Sequence, residues 1–92
     1  MMEDPPYKVL IKKRVLKGLD KLPERVQDKF WVLAHDLAVQ GPMPKGWPNL
    51  SKLTGDNYHC HLEYRWVACW RYENGSFVIE VYYVGSREGA PY

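Results

Sequence analysis

Residues 58–70 read YHCHLEYRWVACW and set two imidazoles, His59 and His61, two positions apart, with a guanidinium at Arg65. Arg87 and Tyr92 follow further along. Cleaving RNA through its own 2′-hydroxyl needs a base to take that proton and an acid to protonate the leaving 5′-oxygen. It also needs positive charge against the phosphorane that develops between them. Histidine suits the first two tasks because its ordinary pKa lies near neutral pH. Arginine suits the third, with a planar fork that matches phosphate oxygens and stays charged. Tyrosine can stack on a base or carry a proton. The set is chemically sufficient for RNA cleavage without a metal. Two other readings compete with it. A His-x-His pair on a strand can simply be packing. It can also be half of a zinc site, although Cys60 falls on the opposite phase and Cys69 is the one thiol on the same phase.

The elements that must position these groups follow from periodicity. From Tyr58 to Tyr72, apolar residues hold one phase of a two-residue alternation, while His59, His61, Glu63, Arg65, Val67, Cys69 and Arg71 hold the other. Fifteen residues is long for one strand, so a tight turn is expected at Leu62-Glu63-Tyr64, with His61 opposite Arg65 and both histidines on Arg65's face. Asn74-Gly75 then marks a second hairpin of type I′. Phe77 to Val84, FVIEVYYV, reads as a central strand covered on both faces. Glu80 is its exception and calls for a cationic partner, Arg65 or Arg87.

Upstream, Tyr7 to Lys13 reads as an opening strand and Arg14 to Leu22 as a two-turn helix. Pro23 opens a longer helix with Val26, Phe30, Leu33 and Leu37 at helical spacing, which Gly41-Pro42 ends. Trp31 and His35, four apart on that helix, are expected to pack against a neighbour or a partner chain. The stretch GPMPKGWPNL (41–50) is loop, with Trp47 as a plug for the core. Cys60, Trp66 and Trp70 read as core. The order is α+β: a strand, a helical hairpin, then a three-stranded antiparallel meander.

Composition bounds the class. The chain has 92 residues, 46% hydrophobic and 26% charged, with four Trp and seven Tyr, as a single folded domain (1–92) requires. A net charge of +2 is no strong polyanion signal, but Lys8, Lys12, Lys13, Arg14, Lys17 and Lys21 face only Glu3, Asp4 and Asp20 over the first 21 residues. Such an edge is compatible with phosphate, and Lys12, Lys13 and Lys52 are the candidates to hold an RNA backbone. The start MMEDPPYK lacks the cationic and apolar stretches of a signal peptide, and no apolar run is long enough to span a bilayer. A cytoplasmic protein without membrane partners is the expectation. Cys60 and Cys69, on opposite phases, are not expected to pair.

The run LTGDNYHCHLEYRWVACW, the helical hairpin with its Leu-Pro joint and the ending Val84-Gly85-Ser86-Arg87-Glu88 resemble the RelE/ParE superfamily of small bacterial toxins from type II toxin–antitoxin pairs. The resemblance covers most of the chain, and the V-G-S-R-E ending is its most specific part. It implies an N-terminal strand and helical hairpin packed on a twisted antiparallel sheet. The RelE branch implies a ribosome-dependent endoribonuclease that cuts mRNA with neither metal nor cofactor. Its active-site positions fall here on His59, His61, Arg65, Arg87 and Tyr92. This chain departs at the first two, where RelE-type proteins have lysines. The resemblance also implies an antitoxin partner in a hetero-oligomeric complex. The ParE branch keeps the fold but inhibits DNA gyrase, which is the competing reading.

Overall fold

Val26, Phe30, Leu33 and Leu37 recur three and four residues apart, so one stripe of a helix carries all four. In the computed structural model, which describes residues 4–92, that helix is α2 (Glu24–Gln40), and the four side chains are fully buried. Each contributes about 1.5–3 kcal/mol by leaving water. Pro23 caps the helix one position before the site its sequence suggests, and its carbonyl accepts from the Val26 and Gln27 N–H groups at 2.9 and 3.1 Å. Gly41 ends it at φ +97°, a left-handed angle that a side chain disfavours. A Cβ there would also lie 3.0 Å from the Tyr7 ring. A shorter helix, α1 (Lys13–Leu19), precedes it and buries Val15 and Leu19.

The strands are β1 (Lys8–Ile11), β2 (Ser51–Lys52), β3 (Asn57–Glu63), β4 (Trp66–Tyr72) and β5 (Val78–Ser86), in spatial order β1-β5-β4-β3-β2. The antiparallel meander β3-β4-β5 is present as the alternation predicts. The sheet is mixed, however, because β1 pairs parallel with β5, Val9 beside Ile79 and Ile11 beside Val81. Parallel neighbours need a long crossover, and both helices and the meander supply it. The hairpin at 73–76 closes with Ser76 N–H donating to the Glu73 carbonyl at 3.0 Å. Gly75 alone takes positive φ (+89°), the pattern of a type II turn and not the expected type I′.

Tyr58, Cys60, Leu62, Ala68, Trp70, Ile79 and Val81 face the helices and form the core with their apolar stripes. Trp66 and Trp47 are partly buried at its edge. Trp47 donates its indole N–H to Asp36 Oδ2 at 3.0 Å, and Trp70 donates to the Pro42 carbonyl at 3.0 Å, so both tie down the loop 41–50. Among the described residues, the opposite face carries no helix. For that reason β5, although interior to the sheet, is covered on one face only and leaves Tyr82 and Tyr83 half-buried. Both cysteines are free: Cys60 lies in the helix-side core and Cys69 in the row of His59 on the open face.

Two irregularities break the period-two reading. Leu62 is extra between the pairs His61–Val67 and Glu63–Trp66, so the turn falls at Tyr64-Arg65. This corrects the expected turn at 62–64: His61 faces Val67, and Arg65 lies in the turn. The bulge swings Glu63 to the helix side, where it meets Arg25 Nε at 2.9 Å and Lys29 Nζ at 3.0 Å. A second bulge makes Tyr82 extra between Val81–Trp70 and Tyr83–Cys69. Two consecutive tyrosines therefore serve the open face. Glu80 lies opposite Arg71 in the strand register, not beside Arg65 or Arg87 as anticipated, and among the described residues it forms no ion pair.

Candidate active site

Residues opposite one another in neighbouring strands share a face. The register thus lays Ser51, His59, Cys69 and Tyr83 in one row across the open face, with His61, Val67 and Gly85 in the next. His59 and His61 lie with ring centroids 6.1 Å apart, and the Tyr92 ring folds back to 4.6 Å from His59. Together with Asn49, Leu50, Ser51 and Arg87 they line a cleft of about 510 Å³. The imidazoles expose only 9% and 8% of their surface.

His59 Nδ1 lies 3.1 Å from Ser51 Oγ. A hydroxyl can donate or accept, so it can hold either tautomer. With Nδ1–H donating to Ser51, Nε2 presents a lone pair to the cleft. Burial holds the His59 pKa below its ordinary value, the neighbouring His61 pushes the same way, and a hydrogen bond to the Ser51 backbone opposes both. His59 is thereby kept neutral, the form that can accept a proton. The His61 N–H donates to the Pro48 carbonyl at 2.9 Å, which seals the strand edge beyond the two-residue β2.

Arg87 reaches the cleft by a local device. Tyr83 donates its hydroxyl to the Ser86 carbonyl at 2.7 Å. Room for that hydroxyl exists because residues 85 and 89 are glycines: a Cβ on Gly85 would lie 2.8 Å from it, and one on Gly89 3.0 Å. Gly89 N–H then donates to Ser86 Oγ at 3.1 Å and Ala90 N–H to the Arg87 carbonyl at 3.3 Å, turning the chain back over the open face. Arg87 N–H donates to the Arg65 carbonyl at 2.7 Å, and its guanidinium sits 4.8 Å from the Tyr64 ring centroid.

Of the residues singled out from sequence, His59, His61, Arg87 and Tyr92 converge on this cleft. Arg65 does not line it. Its backbone carbonyl anchors Arg87, and its side chain is exposed in the turn. Lys52 pairs with Tyr58 and lies over that ring at 5.8 Å, on the helix side of the sheet and away from the histidines. Lys12 lines a neighbouring cleft, and Lys13 is exposed at the start of α1. Trp31 is 48% exposed on the outer side of α2, edge-on to Phe30. Sequence reasoning missed Ser51, Tyr64 and Tyr83. The glycines at 85 and 89 around Ser86-Arg87 were the available signal, since each marks a close approach of another group.

No family model matches the chain, and no curated protein matches it in sequence. Solved structures do share its fold. The chain is similar to the RelE–RelB complex of Pyrococcus horikoshii OT3, with 23% identity, 92% of this chain and 99% of that one covered, and a TM-score of 0.73. It is similar to a mutant E. coli toxin RelE in the free state, at 22% identity, 92% and 87% coverage and a TM-score of 0.71. It is also similar to the E. coli DinJ–YafQ toxin–antitoxin complex, at 13% identity, 95% and 99% coverage and a TM-score of 0.72. The architecture of RelE-type toxins, implied by the sequence resemblance, is the architecture of this chain.

Proposed function

We propose that this chain, built on the RelE-type toxin fold, is the toxin of a type II toxin–antitoxin pair and cuts mRNA on the ribosome without metal or cofactor. The observation that carries the reading is the convergence of two imidazoles, a guanidinium and a phenol on one cleft of the open face. His59, held neutral, takes the proton of the 2′-hydroxyl as its oxygen attacks the neighbouring phosphorus. The bond from phosphorus to the 5′-oxygen breaks, and a protonated His61 delivers its proton to that leaving oxygen. The products are a 2′,3′-cyclic phosphate and a free 5′-hydroxyl. Arg87, carried on the Tyr64 ring, stabilises the charge that builds on the phosphorane oxygens. Tyr92, against His59, stacks on or orients the nucleotide. Arg65 assists by holding the Arg87 backbone through its carbonyl.

The implied partner is a separately encoded antitoxin that covers the open face and blocks access to the ribosome. Primer extension on a translated message, after induction of this chain alone, tests the reading. Discrete cuts that vanish in Arg87→Ala and His61→Ala are expected. Growth arrest with intact message and an SOS response would replace this reading with gyrase inhibition.

A further inference from the structure

A second cleft of about 310 Å³ adjoins the histidine site on the same face, lined by Lys12, Arg14, Arg71, Asn57, Glu80 and Tyr82. Its floor is the row Asn57, Arg71, Glu80, each drawn from a different strand. Asn57 and Arg71 stand two residues from His59 and Cys69 on their own strands, a step of roughly 7 Å along a strand. That step is of the order of one nucleotide along a single strand. Among the described residues, ion pairs form only at Glu63. The three cations of the cleft thus have one carboxylate among them and no close partner, an arrangement that favours a bound anion. Tyr82, re-aimed by the bulge, is held next to Arg71 and has its hydroxyl partly withdrawn from water.

We infer that this cleft is a nucleotide subsite for single-stranded RNA, next to the position of cleavage. Arg14, Arg71 and Lys12 hold one backbone phosphate there. Tyr82 offers a stacking surface for the base. The inference rests on the proposed ribonuclease reading for the nature of the ligand, and its test separates the two.

The probe is a short single-stranded RNA with a 2′-deoxy residue at the cleavage position, followed by fluorescence anisotropy across a salt series. Arg14→Ala with Arg71→Ala is expected to weaken binding at least tenfold and to lower the salt slope by about 0.7, the share of one phosphate on a single strand. Arg14→Lys with Arg71→Lys should retain most of the affinity, which separates lost charge from lost folding. Glu80→Gln, which removes the one carboxylate of the cleft, should strengthen binding. If the wild-type chain binds no RNA, prefers an acidic peptide, or binds equally well without the two arginines, the subsite is refuted. RNA that binds through these arginines but is never cleaved in its all-ribose form on the ribosome would refute the ribonuclease reading and leave the subsite standing.

Discussion

Gly85→Ala tests the device that aims Arg87. The new methyl would lie 2.8 Å from Tyr83 Oη and 3.0 Å from Cζ, inside contact distance. The ring must swing away and release the 2.7 Å bond to the Ser86 carbonyl. Crowding of this kind costs about 1–3 kcal/mol, and the lost hydrogen bond accounts for about 0.5–1.5 kcal/mol. A loss near 2 kcal/mol lowers the Tm of a domain this size by about 8–16 °C. Tyr83→Phe removes the offending oxygen, so the pair must be non-additive. The double variant is expected to be more stable than the sum of the single losses by about 1 kcal/mol. Thermal unfolding of the four proteins measures that coupling. Loosening the turn also uncovers His59, whose NMR titration should then move up toward the ordinary imidazole value. Additive single losses, or a Gly85→Ala protein as stable as its parent, would refute the account.

His59 binds a proton less readily folded than unfolded, so its contribution to stability is complete above pH ~6.5, the unfolded value, and is lost as pH falls through the depressed folded value. Urea midpoints at pH 5 and 7.5 should show that loss in the parent and a flatter dependence in His59→Gln. Burial pushes the thiols of Cys60 and Cys69 up to about 12, and both are inaccessible. Neither should react with iodoacetamide at pH 8 until urea unfolds the chain. Phe30→Ala empties a fully buried site and should cost about 3–5 kcal/mol in denaturant midpoints.

Where the signal was local, the sequence disclosed the structure. Val26, Phe30, Leu33 and Leu37 define α2 by spacing alone, and the alternation around His59 and His61 places both on one face. The errors lie where one residue changes a phase. Leu62 is apolar and suits the alternation, so nothing in its type reveals that it bulges and sends Glu63 to Arg25 and Lys29. The same is true of Tyr82, whose bulge sets Tyr83 over Gly85. The parallel pairing of β1 with β5 joins residues some seventy positions apart and leaves no trace in either segment. The path by which Arg87 reaches the cleft, through the Arg65 carbonyl and the Tyr64 ring, depends on a turn position that periodicity misassigns.

The pairing of β1 with β5 also orders events during synthesis. Residues 8–11 are made before the other strands, yet among the described residues their only strand partner is residues 78–81. The core stripe of the helices likewise waits for Ile79 and Val81. A nascent chain without β5 has neither a closed core nor a neighbour for its first strand. Such distant closure is entropically slow. The cleft is therefore absent from every incomplete copy, and the helices spend the interval with their apolar stripes bare. In the proposed pair, an antitoxin already present in the cell would meet this protein at the moment β5 docks, before a competent site has stood open.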